Sequence, residues 1–242
     1  MTRHFLAALA LVTLTGPTAA ACLPEPDPSR PQFVVGYGSL MEEDSKRRSA
    51  PDAGPNHPVT VTGFRRAWNT RGRSTGHAPT YLGVEMPSGD GPVPEMLAVV
   101  YKASGDLAGT DDREAFYCRH PVPPAQIEML DGWSLPRDAQ VWIYVNTPEA
   151  IHPPSAHWPI VQSYVDIFLS GCLDLQSRLT PDHAARMNVA ERCIDTTHGW
   201  SEHWVNDRIM PRRAFIHQPN ASEIDRLLAE LLPSIFRRIE IE

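Results

Sequence analysis

Two stretches carry residue types that can do chemistry. Phe33 to Met41 reads FVVGYGSLM, with apolar residues running into Gly-Tyr-Gly-Ser. A glycine-containing loop after a strand can turn successive backbone N–H groups toward an anion, which suits a carboxylate. The same residues also fit a tight turn with Tyr37 in the core. Thr110 to Val122 reads TDDREAFYCRHPV, and Phe116 and Tyr117 follow closely on Glu114. A carboxyl held against a sheet by bulky neighbours loses hydration, which disfavours its ionised form and raises its pKa toward the range useful for proton transfer. A solvated Glu114 paired with Arg113 or Arg119 fits the same residues.

Other site chemistries fail on spacing. A dinucleotide fingerprint begun by Gly36 and Gly38 needs a third glycine where Met41 stands, and no βαβ unit is visible. The Gly-x-Ser-x-Gly nucleophile elbow also fails at Met41. In HGWSEHW, His198 and His203 are too far apart to share one helical face, so a surface or structural role is expected for both. No Cys-x-x-Cys occurs, which leaves redox and structural zinc motifs without support.

These residues sit in a chain of 242 residues with a formal charge of −7, long enough for one large domain or two small ones. No basic run or aromatic-basic interleaving is present, so nucleic acid is not an expected partner. The 24 prolines imply many extended connections rather than a helical bundle. Residues 1–21 read as an export signal: Arg3 and His4, then an apolar run from Phe5 to Leu14, then the small residues Thr18 to Ala21. Its removal takes Arg3 and moves the charge from −7 to −8. Cys22 follows directly, in the place of a lipoprotein cleavage site, with Ala19 where that site usually has Leu. Lipidation of Cys22, with membrane attachment, and ordinary secretion both remain open. The expected location is outside the cytoplasm of a bacterium, either periplasmic or membrane-anchored as a lipoprotein. Residues 22–32 read as a proline-rich tether unable to pack. Of the four cysteines, Cys172 and Cys193 can form a disulfide in an oxidising compartment, or act as buried small hydrophobes.

The rest of the chain supplies the elements that must hold the two stretches. Strands are expected at Phe33–Val35, from Val59 through Trp68, at Thr80–Met86, Glu95–Ala103 and Ala139–Val145. PSGDGPVP is expected to join the third and fourth of these as a hairpin. The stretch from Glu42 to Pro58 shows turn residues and no periodicity, and a helix-like segment falls at Asp111–Tyr117. Beyond Thr147 the pattern becomes helical. One amphipathic helix starts near Ile160, a second opens at Thr180-Pro181-Asp182, and a third at Asn220. The fold class is α+β, strand-rich in front and helical behind.

The order of these motifs resembles the γ-glutamylcyclotransferase-like superfamily. A strand leads into GYGSL, then come GFRRAWN (Gly63–Asn69), LAVVY (Leu97–Tyr101), Asp111-x-x-Glu114 with Tyr117-Cys118-Arg119, and a late strand carrying Tyr144. The likeness covers residues 33–146 and leaves a helical extension, 147–242, without a counterpart. The resemblance implies a small mixed β-barrel flanked by helices. It further implies a loop of Tyr37, Gly38, Ser39 and Leu40 that holds the γ-glutamyl end of a small-molecule substrate. Glu114 would be the acid/base, Tyr144 would line the pocket, and no cofactor or metal is needed. Two readings of other classes stand beside it: a non-catalytic envelope binding module for an acidic ligand, and an unrelated secreted hydrolase.

Overall fold

The computed structural model describes residues 22–72, 78–87, 89, 91–103, 107–114, 117–213 and 220–242. The expected export signal therefore lies outside the described residues, as does Phe116. The chain begins with β1 (Gln32–Gly36), a 3₁₀ turn (Ser39–Met41) and α1 (Glu43–Arg47), a short helix inside the stretch expected to be irregular. Glu42 makes it possible, because its carboxylate caps the N–H groups of Asp44 and Ser45. Next come β2 (His57–Thr62), β3 (Arg65–Arg71), β4 (Thr80–Glu85), β5 (Glu95–Lys102), α2 (Ala108–Arg113), β6 (Tyr117–Pro121), β7 (Ile127–Met129) and β8 (Gln140–Asn146). The later part holds β9 (Ile160–Val161), α3 (Gln162–Gln176), α4 (Pro181–Ala184), α5 (Val189–Asp195), β10 (Thr197–His198), β11 (Trp204–Asn206), α6 (Ala221–Leu231), α7 (Pro233–Phe236) and β12 (Glu240–Ile241).

The central sheet has the order β6-β8-β1-β5-β2-β7, and only β1 and β8 run parallel in it. Its strands alternate between two cores. Phe33, Val35, Ala98, Val100, Val141 and Ile143 face one; Val34, Leu97, Val99, Tyr101, Trp142 and Tyr144 face the other. Both faces are covered, which is why these strands read as continuous apolar runs. A second sheet, β10-β3-β4, packs beside it, and a third has the order β12-β11-β9. The sheets are open, and no closed barrel forms among the described residues.

Several local expectations change on the structure. The run from Val59 through Trp68 is two strands in different sheets, broken where Gly63 takes φ +87°. The expected hairpin between β4 and β5 is absent, because β4 pairs with β3 while β5 lies between β1 and β2. The helix near Asp111 starts earlier and stops at Arg113, so Tyr117 opens a strand. The segment expected to be a loose tether is fastened to the core. Cys22 is disulfide-bonded to Cys118, the Pro24 carbonyl accepts from Arg119 at 2.5 Å, and Arg30 donates to the Asp138 carbonyl at 2.7 Å. A sulfur in that bond is not free to carry a lipid. Cys172 and Cys193, both buried, form a second disulfide that ties α3 to α5.

The part beyond residue 147 includes strands and is continuous with the front. Ile160, Val165, Phe168, Leu169, Trp204 and Leu228 share one core with Val34, Leu97 and Trp142. Arg66 of β3 joins the parts. It is 0% exposed, and its guanidinium donates to the carbonyls of Tyr37 (3.2 Å), Leu97 (2.7 Å) and Cys193 (2.9 Å), and to the hydroxyls of Thr197 (2.7 Å) and Thr196 (3.2 Å). The Phe168 ring lies 4.6 Å from the guanidinium carbon. Arg66→Met keeps length but strips a donor from each acceptor, and a buried acceptor left unpaired costs about 1–3 kcal/mol. The variant should lose at least about 2 kcal/mol of stability by urea denaturation; an unchanged midpoint would contradict this role.

Candidate active site

The GYGSL loop leaves β1 at Gly36, and the 3₁₀ turn Ser39–Met41 bends it across the end of the sheet. Asn56 fixes its orientation by donating to the carbonyls of Leu40 (3.1 Å) and Met41 (3.0 Å). Helix α3 packs directly beneath it, because Gly171 has no side chain: a Cβ there would lie 2.5 Å from the Met41 carbonyl carbon. Gly38 answers a similar demand. A Cβ on it would lie 2.7 Å from the hydroxyl of Tyr164, another α3 residue. That hydroxyl stands against the loop backbone beside Ser39 and Leu82. What comes close to the glycine loop in this structure is thus a tyrosine from the segment beyond residue 147.

Glu114 faces this loop from the end of α2. Its side chain is 14% exposed, and Arg113 Nε lies 3.1 Å from its carboxylate. Arg113 also donates to Ser39 Oγ at 3.2 Å and to Ser49 Oγ. One guanidinium therefore joins the acid to the loop. Burial raises the Glu114 pKa above its ordinary value of 4.5, while Arg113 and, less so, Arg213 pull it back down. Burial dominates, leaving a carboxyl poised to take and return a proton.

Around these groups lies a hollow of about 40 Å³ lined by Val35, Tyr37, Gly38, Ser39, Leu40, Leu82, Glu114, Tyr117, Tyr144 and Tyr164. A second, of about 170 Å³, shares Ser39, Glu114, Tyr117 and Tyr164 with it and adds Thr70, Tyr81, Arg113 and Arg213. Ligand clefts usually exceed about 300 Å³, so a substrate needs both spaces and some displacement of the Tyr164 hydroxyl. A larger open groove of about 700 Å³ runs between α3, α5 and α6, far from this chemistry. Size alone would select that groove, but it lacks a shielded acid beside main-chain donors.

The structure brings Tyr37, Gly38, Ser39, Leu40, Glu114 and Tyr144 to one hollow, and separates their roles. The Tyr37 side chain is buried in the core, where its hydroxyl donates to the Tyr144 carbonyl at 2.7 Å. The Tyr144 hydroxyl is committed to Asp111 at 2.5 Å, and Arg119 grips the same carboxylate at 2.6 and 2.8 Å. Asp111 thus anchors α2 rather than facing the hollow. Burial raises the pKa of Tyr37, Tyr117, Tyr144 and Tyr164, so all four stay protonated. His198 and His203 are exposed and away from the hollow.

Sequence reasoning missed Thr70, Tyr81, Tyr164 and Arg213. Thr70 follows an irregularity in the β3–β4 register between Trp68 and Thr70, and its hydroxyl accepts from Asn146 at 2.7 Å. Tyr164 reads as one more apolar residue of an amphipathic helix. The detectable signal is Gly171 in mid-helix, which marks a close approach by something.

No family model and no curated protein matches the sequence. Solved structures do resemble it. The chain resembles γ-glutamyl cyclotransferases. One γ-glutamyl cyclotransferase is 14% identical, with a TM-score of 0.46, over 82% of this chain and 98% of that one. A yeast γ-glutamyl cyclotransferase specific to glutathione is 15% identical, with a TM-score of 0.38, over 84% of this chain and 98% of the other. An uncharacterised human protein is 18% identical, with a TM-score of 0.45, over 62% and 80%.

The balance at Glu114 can be read directly. Arg113→Gln removes the cation that favours the carboxylate, so the Glu114 pKa should rise further above 4.5. Carbon-detected NMR titration of the Glu114 carboxyl in both proteins checks the sign; a lower value in the variant would contradict it.

Proposed function

We propose that the chain is an exported γ-glutamylcyclotransferase-like enzyme, closing a small γ-glutamyl compound to 5-oxoproline and releasing an amine or amino acid. The observation that carries this reading is the shielded Glu114, with its raised pKa, lining one hollow with the main chain of Gly38 to Leu40. Such a substrate brings its own nucleophile, the α-amine, and its own electrophile, the γ-carbonyl. The protein must curl the chain, hold the α-carboxylate and move protons.

The N–H groups of the Gly38–Leu40 turn would hold the α-carboxylate, with the Tyr164 hydroxyl giving way at Ser39. The Glu114 carboxylate takes a proton from the α-ammonium, and the freed nitrogen attacks the γ-carbonyl carbon. As the γ-carbon–nitrogen bond of the side-chain amide breaks, Glu114 returns the proton to the leaving nitrogen. Two protons pass from the attacking to the leaving nitrogen over the whole reaction, and Glu114 ends ionised as it began. Holding reacting groups together can supply up to about 7–11 kcal/mol, and a positioned acid/base about 10²–10⁴-fold. The phenols stay protonated and serve as walls and donors.

Two disulfides suit an oxidising compartment, which supports the export part of the reading. With its sulfur bonded to Cys118, Cys22 favours secretion over lipid attachment.

Glu114→Gln keeps shape and removes the base. It should lower 5-oxoproline release at least about 100-fold, while calorimetry shows ligand binding within a few-fold. Cyclisation at the unaltered rate would remove Glu114 from the mechanism. Tight binding without turnover by the unaltered protein would favour the binding-module reading instead.

A further inference from the structure

Two arginines near the proposed site hold charges that no acid of the described residues pairs with. Arg213 lines the 170 Å³ hollow, its guanidinium carbon 5.7 Å from the Tyr81 ring centre and 6.0 Å from that of Tyr164. Its Nε is buried without a hydrogen-bond partner, and its backbone is pinned by a 3.1 Å bond from its N–H to Ser163 Oγ. Arg71 repeats the pattern. Its guanidinium carbon lies 4.2 Å from the Trp158 ring centre, and its Nε is likewise buried and unpartnered. By contrast Arg65, Arg119, Arg178 and Arg208 are all paired with acids.

Arg71 lines a third cleft, of about 540 Å³, which has Thr70 and Tyr117 in common with the second hollow as lining residues. The three spaces share walls and follow one another in order: loop and Glu114 first, then Arg213, then Arg71 and Trp158. Around Glu114 one carboxylate faces two guanidiniums, and Arg113 already contacts it. Arg213 is the surplus cation. Glu149 also lines the third cleft, but it is exposed and solvated, so it offsets Arg71 little. A guanidinium resting on aromatic rings with an N–H withheld from water is suited to a carboxylate.

We propose that Arg213 and Arg71 read carboxylates on an extended, peptide-like leaving group, Arg213 when it is a single amino acid and Arg71 when it is longer. The amide nitrogen stays beside Glu114, and the departing chain runs past Thr70 and Tyr117 toward Trp158. Neutral alkylamines fill the path without engaging either charge. This rests on the cyclotransferase reading, which the glycine loop and Glu114 support independently of these arginines.

The test compares γ-glutamyl-alanine, γ-glutamyl-alaninamide and γ-glutamyl-alanyl-alanine on the full mature chain, reading 5-oxoproline. The acid should exceed the amide in kcat/KM by about tenfold, as one charge-assisted contact allows. Arg213→Gln should bring the acid and amide within about twofold of each other, a ratio from which any change at Glu114 common to both substrates cancels, and Arg213→Lys should restore part of the difference. Arg71→Gln should lower γ-glutamyl-alanyl-alanine about tenfold relative to γ-glutamyl-alanine. Equal rates for acid and amide in the unaltered enzyme overturn the subsite and leave cyclisation standing. If nothing is cyclised, that reading falls, and calorimetry of Glu114→Gln with the acid and amide decides the subsite alone. Acid preference erased by a second change at Arg213 supports it; equal binding, or none, overturns it.

Discussion

A single guanidinium in the interior holds the parts of this molecule in register. Among the described residues no carboxylate pairs with Arg66, and burial brings its pKa down to about 9. Its charge is solvated by neutral oxygens from β5, from the start of the glycine loop and from the end of α5. Burying a cation is costly unless its donors are satisfied, so the five contacts must form together. Lysine, with three donors on a point charge, does not span acceptors placed in that fan. The contact makes the part beyond residue 147 a structural component of the site. The Tyr37 carbonyl is held by the same side chain that holds Cys193 and Thr197.

The geometry of the glycine loop follows from that arrangement. Helix α3 presses on it through Gly171, the Tyr164 hydroxyl closes over Gly38, and Asn56 holds two of its carbonyls. The acid on the other side is held by different means. Asp111 anchors α2 to Arg119 and Tyr144, and Arg113 spans from Glu114 to Ser39. Burial raises the pKa of a carboxyl so placed, and the guanidiniums beside it pull the pKa back down. Proton transfer in both directions needs that balance.

Much of this is legible in the sequence, for local reasons. The apolar runs of β1, β5 and β8 announce covered strands, and Thr180-Pro181 starts α4 with Thr180 as cap. The motif order brings Gly38–Leu40 and Glu114 together as candidates. What stays hidden is long-range. Val59 to Trp68 looks like one strand because the break at Gly63 depends on which sheet each half joins. From the sequence Cys22 leaves lipidation and secretion both open, whereas its pairing with Cys118 across 96 residues is a fact of topology. Tyr164 and Arg213 carry no signature, since a tyrosine on an apolar helix face and an arginine in a loop gain meaning only from what they face.

The claim at the centre is that Glu114 and the Gly38–Leu40 main chain together curl and cyclise a γ-glutamyl group. The most direct measurement is incubation of the purified protein with γ-glutamyl amino acids, peptides and amines, with mass-spectrometric detection of 5-oxoproline. The account predicts 5-oxoproline and the free amine in equal amounts from at least one of them. Free glutamate as the product, or no product from any of them, would contradict it.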